Sequence, residues 1–240
     1  MSGPRIDLSV ILPCRNQEDH IGSVLRAYAG PLDTTGLRYE LVVVPNACVD
    51  RTAAVVREVA AADPRVVVVE IPLGGWGRSV LEGLAVAKGD FLCYTNSART
   101  DPHDIPRLLE LFQAHAPCVA KVRREQRGVV LREVGSWLYN LEGRLLYGFG
   151  ARDVNGTPKI LGRETYERLL LSSRDDLLDL ELMVKASRLG LPIVELAVPG
   201  FKRRGGRSST NLRSAWRMYS GAVKLRRVLG PFPGSGGKDA

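Results

Sequence analysis

The chain has few of the residues from which metal centres, disulfide frameworks and membrane spans are made. Its four cysteines, Cys14, Cys48, Cys93 and Cys118, sit in or just beyond apolar runs and lack metal-ligand spacing. They read as reduced thiols, which excludes a disulfide-stapled secreted scaffold. The three histidines, His20, His103 and His115, are scattered, and none stands in a catalytic pattern. No apolar run approaches the roughly 18 residues needed to cross a bilayer. Residues 1–7 show no signal-peptide core, so the expectation is a cytoplasmic protein.

One sign of charge is missing from a whole segment. Residues 201–228 contain no acid, yet nine of the chain's 34 bases fall there: Lys202, Arg203, Arg204, Arg207, Arg213, Arg217, Lys224, Arg226 and Arg227. The other 25 bases face 26 acids, so the formal net charge of +8 is a local device aimed at something anionic. No nucleic-acid-binding motif accompanies it, and nucleic acid is not an expected partner. Residues 230–240, rich in Gly, Pro and Ser, are expected to form a disordered tail.

What is present is a core and a rhythm. A chain of 240 residues, 45% of them hydrophobic, can bury a sizeable interior. Apolar runs at 8–12, 40–44, 66–71, 91–95 and 118–122 alternate with helical patterns that end by residue 114. That alternation implies an α/β fold, a mostly parallel sheet with helices on both faces. The second half is less regular. Its spacing predicts a helix over 131–147, a turn-rich loop over 153–159, helices over 164–171 and 177–189, a strand over 193–198 and a last helix over 212–228.

The stretch 88–104 organises the rest. A Gly89-Asp90 turn precedes a short strand, then a polar loop, Asn96-Ser97-Ala98-Arg99, then Asp101-Pro102 as N-cap and first residue of a helix. In open α/β sheets, ligands bind beyond the carboxyl ends of strands, where this loop stands. Read alone, the stretch also fits a βα loop of any doubly wound fold.

Six motifs in order, besides the loop at 96–98, carry a resemblance. Ser9-Val10-Ile11-Leu12-Pro13-Cys14-Arg15-Asn16-Gln17-Glu18 is similar to the opening strand and Pro-X-Tyr-Asn-Glu loop of inverting GT-A glycosyltransferases. Val44-Pro45-Asn46-Ala47-Cys48-Val49-Asp50-Arg51-Thr52 resembles their Asp-Asp-Gly-Ser loop, and Gly77-Arg78 falls where they carry Gly-Lys. Asn96-Ser97-Ala98 takes the place of Asp-X-Asp. Asp153-Val154-Asn155-Gly156 with Lys159, then Asp179-Leu180-Glu181, then residues 203–209, follow the pattern of polyprenyl-phosphate mannose and glucose synthases. The likeness covers roughly residues 7 to 210.

The resemblance implies a GT-A (Rossmann-like) domain over 1–229, with a nucleotide-sugar half (7–122), an acceptor half (123–211) and a basic amphipathic helix (212–228). It implies inverting transfer of a sugar from a nucleotide diphosphate to a phosphate- or hydroxyl-bearing acceptor. Pro13, Arg15, Asn16, Gln17, Asn46, Arg78, Asn96, Ser97, Ala98 and Arg99 would hold the donor. Asp153, Asp179 and Glu181 would lie at the acceptor side as catalytic candidates. Lys121, Arg123, Arg124, Lys159, Arg203, Arg204, Arg207 and Ser208 would bind phosphate.

Several of the departures from the pattern remove carboxylates near the diphosphate: Gln17 for Glu, Pro45-Asn46 for Asp-Asp, and Asn96 and Ala98 for the Asp-X-Asp pair. A hard cation wants oxygen ligands, usually one or two carboxylates. Asn96 and Asp101 offer at best a weak Mg²⁺ or Mn²⁺ site, and no cofactor is required by the sequence. Arginines such as Arg78 and Arg99 can neutralise a diphosphate instead. The lost acids also fit a different reading, a catalytically silent nucleotide- or sugar-binding relative serving as a partner subunit.

Each candidate has a plain structural reading beside the functional one. Asp179 and Glu181, two apart, face opposite sides of a helix. Asp179 shares its face with Leu182, Met183 and Ala186. Glu181 precedes Lys185 by four and reads as a solvated pair. Asp153 suits a turn, Lys121, Arg123 and Arg124 a solvated charge run, and Trp76 a packing role or stacking on a ring. The last helix has an apolar stripe, including Trp216, Tyr219 and Val223, and a basic one. It would pack on the domain or lie on anionic lipid as a peripheral contact, with polyprenyl phosphate or a small soluble molecule as the acceptor.

Overall fold

A strand whose residues are apolar on both sides can be stable only where both faces are covered. Leu8–Cys14 (β1) and Tyr39–Pro45 (β2) are such strands, buried at every position. The structure, a computed structural model, describes residues 5–125, 130–199 and 212–230; for 130–137 and 212–218 it describes the backbone alone.

Between and after β1 and β2 run Ile21–Asp33 (α1), Thr52–Ala62 (α2), Val66–Val68 (β3), Trp76–Val86 (α3), Phe91–Tyr94 (β4), Asp104–His115 (α4) and Val119–Glu125 (β5). Val130–Tyr147 (α5), Lys159–Gly162 (β6), Arg163–Leu169 (α6), Leu178–Arg188 (α7), Ile193–Pro199 (β7) and Leu212–Leu229 (α8) complete the order. Seven strands make one sheet in the order β3-β2-β1-β4-β6-β5-β7. All pairings are parallel except those of β6, which lies antiparallel between β4 and β5.

Alternation along the strands divides the core in two. Val10 and Leu12 of β1 face α1 and α4, meeting Val24, Tyr28, Leu108 and Phe112. Ile11 of β1, with Val42 and Val44 of β2, faces the other way onto Val80 and Leu84 of α3 and the buried run of α7. Each fully buried Leu or Ile contributes about 1.5–3 kcal/mol. Helix α3 lies so close to the sheet that a Cβ on Gly83 would stand 2.5 Å from Cγ2 of Ile11.

Three readings of the sequence need adjustment. Residues 159–162 are a strand, so the turn-rich loop ends before Lys159: Lys159, Ile160, Leu161 and Gly162 pair with Tyr94, Cys93, Leu92 and Phe91. Four residues are too few for a periodicity signal. The third strand stops at Val68, and only a single bridge, Asn46 to Ile71, continues it. Helix α4 starts at Asp104 because Asp101 makes a turn of its own, its carboxylate accepting the His103 N–H at 3.1 Å.

Candidate active site

Parallel strands deliver their carboxyl ends to one edge, and the sheet order reverses direction between β1, which pairs with β2, and β4. The loops after β1, β2, β3 and β4 therefore gather there. A buried carboxylate helps to place β4: Glu40 accepts the Ser9 hydroxyl (2.6 Å) and the Lys88 N–H (2.6 Å), and the Ser9 oxygen accepts the Gly89 N–H (2.8 Å). This pins the turn from which β4 enters.

The donor-side candidates form one interlocked rim. The Ser97 hydroxyl lies 3.1 Å from the Pro13 carbonyl and 3.0 Å from Oε1 of Gln17, joining the loops after β1 and β4. The Gln17 N–H donates to Thr52 Oγ1 at 2.7 Å, and Asn16 Oδ1 accepts the Val49 N–H at 3.0 Å. The Asn46 amide donates to the Cys14 carbonyl at 2.8 Å. Asn16 and Ala47 have positive φ, 50° and 43°, a conformation that costs a non-glycine residue energy and recurs at ligand sites. Arg15 is exposed, with its guanidinium beside Gly74 of the loop before α3. Arg78 is half-buried, and its Nε is buried without a hydrogen-bond partner. Arg99 is half-buried in the turn after Ala98, its N–H on the Asn96 carbonyl.

The residues at the Asp-X-Asp position do not fit a divalent cation. Asn96 Oδ1 already accepts the Ala98 N–H at 3.1 Å, and Ala98 is a buried methyl group. The Asp101 carboxylate engages His103. Among the described residues, a group of three acids close enough to share an ion is found at Glu18, Asp19 and Asp50, on the loops after β1 and β2.

The acceptor-side candidates meet in a buried charge cluster under this edge. Asp179, 3% exposed, accepts hydrogen bonds on Oδ2 from Trp76 Nε1 (2.9 Å) and on Oδ1 from the Tyr94 hydroxyl (2.8 Å) and the Lys159 ammonium. Lys159 is fully buried and stands over the Tyr94 ring at 5.4 Å. Burial pushes its ammonium down to about 8, against the opposing pull of Asp179. Lys121 is buried on Glu195 at 2.9 Å, and burial lowers its pKa too. Arg124 forks onto Asp153 at 2.9 and 3.1 Å and donates to the Asn155 carbonyl.

Lys121, Arg124 and Lys159 are thus paired inside the protein, contrary to the solvated charge run that the sequence suggests for the first two. Arg123 is half-buried on Glu125. Arg203, Arg204, Arg207 and Ser208 lie outside the described residues, as do the side chains of Arg213, Trp216 and Arg217.

Glu181 also departs from its expected surroundings. It is 1% exposed and accepts the Ser172 and Ser173 N–H groups, at 3.1 and 2.7 Å, and the Lys185 ammonium at 2.7 Å. Burial works to raise its carboxyl, but hydrogen bonds from Lys185, Ser173 and Ser172 outweigh it and hold the pKa below the usual glutamate value. Helix α7 is buried on all sides from Leu178 to Val184, so neither face of it is the solvent face. The sequence reading missed Tyr94, whose place at the last position of β4 is the signal that could have found it. It also missed Tyr139, a buried hydroxyl without a partner.

Comparison with known proteins agrees with this architecture. An undecaprenyl-phosphate 4-deoxy-4-formamido-L-arabinose transferase of Edwardsiella ictaluri is 29% identical over 137 residues, which are 55% of this chain and 42% of that protein. The chain thus matches less than half the length of that relative. An uncharacterised glycosyltransferase of Mycobacterium bovis is 29% identical over 208 residues, 85% of this chain and 89% of the relative. A glucosyl-3-phosphoglycerate synthase from Mycobacterium tuberculosis, solved with Mn²⁺, uridine diphosphate and phosphoglyceric acid, superposes with a TM-score of 0.70 at 22% identity, over 96% of this chain and 81% of that one. That likeness establishes the GT-A, Rossmann-like fold. Residues 9–170 match the description of Glycosyl transferase family 2, and the chain belongs to that family of glycosyltransferases.

Proposed function

We propose that this domain transfers a sugar, with inversion, from a nucleoside diphosphate donor to an acceptor that carries a phosphate. The observation that carries the choice of acceptor is the state of Asp179. A carboxylate has about four acceptor sites. Three of them on Asp179 are taken by Trp76, Tyr94 and Lys159, and the residue is only 3% exposed, which makes it a poor base for an incoming hydroxyl. A hydroxyl acceptor needs a base with a lone pair in reach. A phosphate is an anionic nucleophile already: its oxygen attacks the anomeric carbon as the bond to the diphosphate breaks, and no proton has to move. Two relatives support the reading, since the names of the arabinose transferase and of the glucosyl-phosphoglycerate synthase each include a phosphate-bearing molecule.

The donor diphosphate, on this reading, is neutralised by guanidinium groups, those of Arg15, Arg78 and Arg99 being the candidates on the adjoining loops. Such fixed cations stabilise a leaving group without a carboxylate-bound ion. Isothermal titration of common nucleoside diphosphates and their sugars, in EDTA, tests this. At least one should bind, and Arg78→Ala should weaken it about tenfold or more. No binding with or without divalent ions would overturn this donor assignment, and binding without turnover on any phosphate acceptor would favour the partner-subunit role. Binding and turnover that appear only on adding Mg²⁺ or Mn²⁺ would overturn the metal-free arrangement alone.

A further inference from the structure

Glu181 has no place in the reaction just described, yet its buried carboxylate is held by several hydrogen bonds. Its partners define what it does. Both carboxylate oxygens accept the Ser172 N–H, one accepts the Ser173 N–H and one the Ser172 hydroxyl at 3.0 Å. Lys185, which pairs with the same carboxylate, also donates to the Leu170 carbonyl at 2.6 Å. The segment 170–173 is therefore tied to α7 at its beginning.

The next two residues of that segment are tied to something else. The Arg174 carbonyl accepts the Arg78 N–H at 2.9 Å, and the Asp175 carbonyl accepts the Gly77 N–H at 3.0 Å. These are two of the N–H groups that the first turn of α3 leaves without intrahelical partners. The approach is close enough to demand glycine. A Cβ on Gly77 would stand 2.3 Å from the Ser173 carbonyl, and one on Gly75, whose φ is +137°, 2.8 Å from the Arg174 carbonyl. The turn so capped carries Trp76, bonded to Asp179, and Arg78, whose buried Nε has no partner. Asp179 and Glu181 thus hold the same turn, one directly through the Trp76 indole and the other through a strap of backbone.

We propose that Glu181 is a positioning residue for the donor site: it sets the 172–175 strap, which fixes the Gly75–Arg78 turn and so aims the Arg78 guanidinium at the donor diphosphate. Part of this rests on the function proposed above, and part is independent of it. Glu181→Gln keeps the shape of the side chain but loses the charge that binds Lys185 and two N–H groups together. In this variant, amide exchange at Gly77 and Arg78 should quicken about tenfold, as it does where a local opening becomes easier by the corresponding free energy. The Kd and KM for the donor should rise about tenfold, while kcat at saturating donor stays within about twofold, because uniform binding alone is lost.

Exchange at Gly77 and Arg78 unchanged from the native protein would overturn the proposal whether or not a donor is ever found. Loss of kcat with donor affinity intact would also overturn it, since Glu181 would then act at the acceptor or in the chemistry. If Glu181→Gln does not fold, Gly77→Ala presses on the strap from the opposite side with the Glu181 bonds in place, and the same exchange and KM changes are required of it. A native protein that binds no nucleoside diphosphate would refute the donor assignment, leaving the exchange measurement to decide the strap.

Discussion

At the scale of single residues, the outcome is set by how this protein buries charge. Lys121, Arg124 and Lys159 face Glu195, Asp153 and Asp179, three cations with three anions in one interior region. A lone buried ion costs several kcal/mol, and pairing it removes most of that penalty. Removing one partner should therefore be severe. Lys159→Met, which leaves Asp179 with an uncompensated charge, is expected to lower stability by about 3–5 kcal/mol in urea titration. Arg123→Met, on the half-exposed Arg123–Glu125 pair, should change it by no more than about 1 kcal/mol. Equal losses in the two variants would show that the interior cluster is hydrated and that its pairing matters little. Asn96 and Ala98 make the complementary point: the positions of the lost acids in this loop are taken by an Asx-type turn, with Asn96 Oδ1 accepting the Ala98 N–H, and by a buried methyl group.

At the scale of elements, close approach governs where the functional groups stand. Helix α3 reaches the sheet at Gly83 and the strap at Gly75 and Gly77, so three glycines in nine residues let one helix touch both neighbours. Gly83→Ala would push a methyl group into Ile11 Cγ2, which a β-branched side chain in a buried strand cannot move aside easily. Such overpacking should cost about 1–3 kcal/mol, read as a lower urea midpoint at unchanged slope. No loss would mean that α3 can slide, and with it Trp76 and Arg78. Helix α8 is fixed in a similar way: a Cβ on Gly221 would meet Leu177 at 2.7 Å, the Tyr147 hydroxyl donates to the Ala222 carbonyl at 2.6 Å, and Arg188 donates to the carbonyls of Leu229 and Gly230. Tyr219 is half-buried edge-on to Tyr139, 5.7 Å away, so the apolar stripe of α8 packs on the domain here.

At the scale of the molecule, the basic segment offers the test of where a phosphate acceptor would come from. Among the described residues no helix is long and apolar enough to cross a membrane. The outer face of α8 exposes Lys224, Arg226 and Arg227 beside Val223 and Val228. Each base near an anionic surface is worth up to about 1 kcal/mol and loses this within a Debye length. If the phosphate acceptor is a lipid, the protein should sediment with vesicles containing anionic lipid at low salt and be released at high salt. Lys224→Glu with Arg227→Glu should abolish the sedimentation. Protein that stays in the supernatant at low salt would point to a small soluble phosphate instead.

Sequence alone determined the strands other than β6 and the edge at which their loops gather. The alternation of apolar runs with helical spacing, and the polar loops after residues 12, 44 and 94, depend on local pattern and need no knowledge of distant contacts. The missing carboxylates at Asn96 and Ala98 were equally plain. Only the tertiary structure decided which charges are available. Lys159 and Asp179 are 20 residues apart, Arg124 and Asp153 29, Lys121 and Glu195 74, and each pair meets only because β6 inserts between β4 and β5 and β7 joins the far edge. Periodicity likewise assigned Glu181 to solvent, on the premise that a helix has one wet face. Helix α7 packs against α3, α6 and β7 and has none along its first two turns, so its second acid had to find partners in the strap. Local pattern records what a residue prefers; which partners it meets depends on contacts that the chain's neighbours in sequence do not encode.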